Sequence, residues 1–218
     1  MIFPDLVADA PARALMACFS QFNGKNGCGK CLHTGERVVQ GAGTAQVYPL
    51  DHPLPQYRTH EQSLDFAIMA ETEKTGSVSG VKGLSLLYSI PKFNIVTGVL
   101  PEIMHALYLG VCRQFESLWF SNVSAPYYIQ NYGELDSILM TARVPDEILR
   151  LPREFAKYGA KWKASEQRNF LLFYSCLVLH SVLPSAYYKH WLLLVNAFRI
   201  ILRKSVSKPN IQIAKLLI

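Results

Sequence analysis

"MIFPDLVADAPARALMACFSQF", residues 1–22, raises the question that decides the fold. Its opening run is apolar and short, as in a strand that ends near Asp9. Beyond it, Pro11 stands near a helix start and apolar residues recur at helical spacing. An acidic residue therefore sits where a strand turns into a helix. Taken alone, Asp9 reads as a helix-start residue beside Pro11, its carboxylate capping the first turn.

Outward from that junction the pattern changes twice. Residues 23–58 hold clustered glycines and the three prolines of "YPLDHPLPQYR" with no sustained periodicity, which predicts an irregular loop carrying a short hairpin. A loop of that length needs something to organise it. From residue 59 onward the chain reads as helices. "THEQSLDFAIMAETEK" has Thr59 or Ser63 as its cap, and glycines then break the pattern before Pro91. A second helix starts after Pro101 in "EIMHALYLGVCRQFESLWF", a short one lies in "YGELDSILMTARV", and "PDEILRLPREFAKYGAKW" is a broken connector. A long helical pair runs from about Ala164 to Lys204, split near Pro184. No internal repeat or low-complexity tract interrupts the order.

With 218 residues, half of them hydrophobic, the chain can bury a sizeable core. Its charge is unevenly spread: up to Glu154 there are 12 basic and 15 acidic residues, and from Phe155 to Ile218 there are 10 basic and one acidic, Glu166. That cationic block suits a polyanion such as nucleic acid or an anionic membrane surface, and equally a set of solvated helix faces. Five cysteines, an odd number with one close pair, do not form the framework of a small secreted domain and point to a reducing compartment. The amino terminus has no secretion-signal pattern. The longest apolar runs, residues 170–183 and 191–201, are shorter than the ~20 residues of a bilayer span and carry His or Arg, so they read as buried helices.

Cys28 and Cys31 in "FNGKNGCGKCLHTG" have the spacing at which two thiolates reach one tetrahedral zinc from a tight turn, with Gly27 and Gly29 supplying backbone freedom. A thioredoxin-type redox pair competes, but such a pair follows a strand and opens a helix, and no helix follows here. A chance pair without a special role is the third alternative. His33 is close in sequence as a further ligand, while His52, His60 and His105 would need the fold to bring them near.

"DAPARA", "FNGKNGCGKCLHTGERV", "GVKGLSLL", "EIMHALYLGV", "RLPRE", "KWKASEQRNFLLFYS" and "LVNAFRIILRKSVS" succeed one another in an order that resembles the CACTA (En/Spm-type) DDE transposases. The likeness runs from about residue 5 to the end, and "WKASEQR" and "FNGKNGCGKC" are its most distinctive blocks. It implies a mainly α chain, a helical insertion domain attached to a remnant of an RNase H-like α/β fold. The expected divisions are a strand–helix remnant at 1–22, the Cys-x-x-Cys loop at 23–58, and the helical insertion domain at 59–218. In such enzymes two Asp and one Glu hold paired divalent cations, Mg2+ or Mn2+, ~3.5 to 4 Å apart for DNA strand cleavage and transfer.

Asp9 matches the second of those aspartates, and Cys28 with Cys31 matches half of a structural zinc site that a closely spaced histidine pair completes further along. The first Asp, that histidine pair and the final Glu are expected outside this chain, which is therefore not expected to catalyse alone. Glu102 and His105 stand where the family has Asp-x-x-His, and the sequence reading puts them three apart on one helix face. Around Trp162, Lys157, Lys161, Lys163 and Arg168 form a cationic grouping suited to DNA-backbone contacts, with Trp162 itself read as core. The resemblance further implies a nuclear protein with DNA as partner, a homo-oligomer in the intact transposase, and no membrane. A domesticated helical module that binds DNA or protein without cleaving is the alternative, and a plain helical scaffold a third.

Overall fold

The computed structural model describes residues 4–50, 52–143, 148 and 150–218. The chain is mainly α, with one two-stranded parallel and one two-stranded antiparallel sheet among the described residues. It forms two compact units, Met1–Glu102 and Ile103–Ile218.

In the first unit the short apolar run becomes β1 (Leu6–Ala8), and Asp9 then caps α1 (Ala10–Ala17). Its Oδ1 accepts the Ala12 N–H at 2.9 Å. This is the capping geometry expected of an Asp just ahead of a helix-entry proline. The hairpin within the long loop consists of β2 (Glu36–Gln40) and β3 (Gly43–Val47), paired antiparallel from Glu36↔Val47 to Gln40↔Gly43. Gly41 takes the left-handed conformation (φ 59°) that its two-residue turn requires. Thr59 caps α2 (His60–Glu73) through the Gln62 N–H.

A short strand missing from the sequence reading, β4 (Val99–Pro101), pairs parallel with β1 in the register Leu6↔Val99, Val7↔Leu100, Ala8↔Pro101. Ala17, Phe19, Ala67, Val81, Ile95 and Val99 are among the residues of the small core beneath. Because α2 contributes Ala67 to this core and β4 pairs with β1, the first unit runs on to Glu102. The division thus falls at 102/103 rather than at 58/59, where the sequence reading drew it.

The second unit opens with a π-helical segment, Met104–Cys112, which passes directly into α3 (Arg113–Ser121). Apolar spacing at three and four announces a helix but does not distinguish the wider i→i+5 winding from the α form. Next come α4 (Tyr132–Thr141), the single turn α5 (Phe155–Tyr158) and a 3-10 turn at Gly159–Lys161. The first helix of the expected pair is a continuous run of α6 (Ala164–Asn169), a π segment (Phe170–Tyr174) and α7 (Ser175–Val182). Pro184 then introduces α8 (Ser185–Ile201).

A further helix beyond the expected pair, α9 (Lys208–Leu217), is capped by the Ser207 hydroxyl with Pro209 in its first turn. Of the predicted connector, residues 145–147 and 149 lie outside the described residues. The core is aromatic: Trp119 and Trp191 meet edge to face at 4.9 Å, Phe155 and Trp162 at 5.1 Å, and the Trp191 indole donates to Ser175 Oγ at 2.9 Å. Among the described residues, no helix is long and apolar enough to cross a membrane.

Candidate functional site

Asp9 and Glu102 follow Ala8 and Pro101, which are partners in the parallel register, so the two acids leave the same carboxyl end of neighbouring strands. The Glu102 N–H donates to Ala8 O at 3.0 Å and extends the ladder by one bond. Among the described residues only Ala12 N–H engages the Asp9 carboxylate, through Oδ1, and Oδ2 makes no hydrogen bond. Capping therefore does not exhaust its acceptor capacity. Glu102 is not on a helix face with His105, as the sequence reading had it. It ends the strand ladder of the first unit, whereas His105 lies in the π segment of the second.

The Cys-x-x-Cys loop is organised by three polar side chains. Arg58, 4% exposed, donates from Nε to Cys28 O at 2.9 Å and from Nη2 to Asn26 O and Ser79 O at 3.1 and 2.6 Å. Its guanidinium lies over the Phe19 ring, 5.4 Å from the centroid. Tyr48 accepts the Gly27 N–H at 2.8 Å and donates to Gly24 O. Lys30 donates from Nζ to Val96 O and Val99 O at 2.5 and 2.9 Å, tying the loop to the β4 segment.

Glycine is required at two points here. A Cβ on Gly27 would lie 2.0 Å from Gln21 O, and one on Gly80, which has φ +82°, would lie 2.3 Å from Asn26 O.

Within this frame the sulfurs of Cys28 and Cys31 face each other within hydrogen-bonding reach. The Lys30 N–H points at Cys28 Sγ (3.4 Å) and the His33 N–H at Cys31 Sγ. Burial works to raise the Cys28 thiol, but the N–H donors and its partner thiol outweigh it and hold Cys28 below the usual cysteine value. Cys31 is pushed up by burial and by the charge of Cys28. Burial and the neighbouring Arg13 pull Lys30 down, with Cys28 opposing them. Amide donors aimed at both sulfurs suit a thiolate pair.

The histidines go elsewhere. His33 accepts the Gly35 N–H at Nδ1 (2.8 Å) and pairs Nε2 with Pro49 O (3.1 Å), so both ring nitrogens are engaged. His60 Nδ1 accepts the Ile95 N–H at 3.2 Å, and His52 is exposed. Among the described residues, no three His, Cys, Asp or Glu side chains gather at metal-holding distance.

In the second unit Lys157, Lys161, Lys163 and Arg168 are all exposed around Trp162, which is 2% exposed and belongs to the core as expected. Glu166, the sole acid of the cationic block, is removed from that surface: it accepts a bidentate pair from Arg153 at 2.6 and 2.9 Å and the Lys163 N–H at 2.9 Å. Burial alone would raise its carboxyl, but those hydrogen bonds outweigh burial and hold it below the usual range. The "RLPRE" and "KWKASEQR" blocks are thereby joined by two ion pairs, from Arg153 and, at 3.6 Å, from Arg150 to Glu166.

A second acid, Glu116, is buried against Gln167, whose Nε2 donates to Glu116 Oε2 at 2.8 Å, while Glu116 Oε1 has no partner among the described residues. Burial pushes this carboxyl up to about 7.

No protein-family model, curated protein or solved structure matches this chain. The functional reading therefore rests on the residues themselves. Sequence reasoning missed Arg58, Lys30 and Glu116. Arg58 had one visible signal, a lone arginine closing a proline-rich apolar run. Lys30 and Glu116 had none, since their partners lie 66 and 51 residues away.

Proposed function

We propose that the chain derives from a CACTA (En/Spm-type) DDE transposase and serves DNA transposition, carrying one catalytic aspartate, half of a zinc site and a DNA-binding helical insertion domain. The observation that carries this reading is Asp9 at the carboxyl end of β1, with Glu102 leaving the neighbouring parallel strand beside it. Carboxylates converging from adjacent strand ends are what a divalent cation in a phosphoryl-transfer site needs. In an RNase H-like sheet completed by the rest of a transposase, Asp9 would hold Mg2+ or Mn2+. When bound, the cation would stabilise charge on the transferring phosphate. Cys28 and Cys31 would supply two thiolates to a structural Zn2+, which would pin the loop that Arg58 already orders.

The exposed set Lys157, Lys161, Lys163 and Arg168, with Glu166 neutralised behind it, is the proposed DNA-backbone contact, and nuclear location follows from the same reading. A second reading, a domesticated module that binds DNA without cleaving it, needs only that face. It is favoured by the use of Asp9 as a helix cap.

Filter binding of the full chain to duplex DNA over a salt series tests the shared part. Contacts from four cations predict a log–log slope of roughly −3 to −4. Replacing Lys161 and Lys163 by Gln should reduce it by about two. A flat profile for the wild-type chain would leave a scaffold without a nucleic-acid role. Metal-dependent strand cleavage by the chain would eliminate the non-catalytic reading.

A further inference from the structure

Between α1 and the Cys-x-x-Cys loop lies a cavity of about 60 Å3 that the strand-end acid and the thiol pair do not use. Ala10, Arg13, Phe19, Gly27, Gly29 and Lys30 are among the residues that line it. Two cations thus face one small space. Among the described residues the buried Arg13 Nε has no hydrogen-bond partner. The Lys30 ammonium is fixed by two backbone carbonyls, which leaves one of its three donors unspent. Among the described residues no ion pair joins either side chain to a carboxylate. Two cations that line one small space without a carboxylate partner suit an anion. Gly29 leaves that wall open, since an added Cβ there would meet only Phe19 at 3.9 Å.

We propose that Arg13 and Lys30 form a phosphoryl-binding pocket one helical turn beyond Asp9. The planar guanidinium presents a fork suited to two phosphoryl oxygens, and the ammonium supplies a fixed point charge opposite it. Ala10 on the pocket wall is the immediate neighbour of Asp9, so a phosphoryl group seated there lies alongside the proposed cation ligand. The proposal deepens the DNA reading by naming where a phosphate sits, yet the anion pocket itself does not depend on that reading. The phosphoryl group can come from a DNA backbone or from free phosphate.

The test uses the full chain labelled with 15N, titrated with sodium phosphate against sodium chloride at matched ionic strength. Amide shifts should concentrate at residues 10, 12–14 and 27–30, and Arg13→Gln should weaken phosphate binding ~10-fold or more. Lys74→Gln, exposed and outside both the pocket and the cationic face, should leave it unchanged. Shifts confined to other residues, or an Arg13→Gln chain that binds phosphate as the wild type does, would overturn the pocket. The mapping on wild-type protein stands even if Arg13→Gln fails to fold.

A second arm adds a short DNA duplex. Competition by inorganic phosphate at residues 10 and 12–14 places a DNA phosphate in the pocket. Phosphate binding that needs Arg13, beside DNA binding that does not, assigns the pocket to free phosphate and leaves the DNA reading intact. Phosphate binding with no DNA binding at all keeps the pocket and rejects the DNA reading.

Discussion

The two units are held together by different means. In Met1–Glu102 the largest single organiser is a buried cation, Arg58, whose three hydrogen bonds to backbone carbonyls draw together segments that form little regular structure. In Ile103–Ile218 the organiser is an aromatic and aliphatic core, with Trp119, Phe170 and Trp191 at its centre and two π segments on its helices. A loop rich in glycine and proline cannot bury enough apolar surface to fix itself, so polar stitching supplies its order. A helical bundle already satisfies its backbone internally, and packing alone fixes it. The candidate chemistry follows the same division: the strand-end acid and thiols lie in the stitched unit, and an exposed cationic face lies on the packed one.

Substitutions separate the two modes of stabilisation. Phe170→Ala removes a ring that is 1% exposed and should cost about 3 to 5 kcal/mol, the largest effect expected. Native-state amide exchange should show the loss in the second unit and leave residues 4–102 protected as before. Arg58→Met keeps a stem over Phe19 but strands three carbonyls, for a loss of about 2 to 4 kcal/mol. Here the exchange should rise around residues 24–34 and 78–80, and zinc affinity should fall with it. If Arg58→Met exchanges like the wild type, the contrast between the units is wrong.

Glu116→Gln sharpens the comparison at the buried Glu116–Gln167 pair of the packed unit. Its carboxyl titrates near 7 in the folded chain against an ordinary value of 4.5. A raised carboxyl favours the folded state while protonated, so its contribution is complete below about pH 4.5 and is lost as pH rises through about 7. The shift corresponds to roughly 3 kcal/mol. The Gln variant, neutral throughout, should match the wild type at pH 4 and exceed it by about that amount at pH 8 in urea unfolding. Equal pH profiles for the two proteins would remove the buried-acid account.

Much of this architecture was legible in the chain. The strand–acid–helix order at residues 1–22, the Thr59 cap, the helix starting at Ala164 and the split at Pro184 follow from propensity and capping chemistry, which act locally. The short hairpin was foreshadowed by glycine spacing. β4 was not visible, because a three-residue strand carries no periodicity and its partner β1 lies more than 90 residues away. Its absence from the reading also misplaced Glu102, which was assigned to a helix face when it continues a strand ladder. Over segments of nine and five residues apolar spacing does not separate π from α winding, so both π segments were read as ordinary helix. α9 did carry a signal, Ser207 followed by Pro209, but it lay beyond the apolar pattern that fixed the helical pair. At the candidate site the thiol pair was plain from spacing, whereas its organisers, Arg58 and Lys30, depend on contacts the sequence order does not display.

Paramagnetic broadening by Mn2+ tests the central claim, that the Asp9 carboxylate stands ready for a divalent cation at a strand end beside Glu102. In a 15N-labelled full chain, sub-stoichiometric Mn2+ should broaden the amides of residues 8–10 and of Glu102 first, and Asp9→Asn, which still caps α1, should abolish that effect while leaving the fold unchanged. Broadening that spares both strand ends, or that survives in Asp9→Asn, would contradict the account.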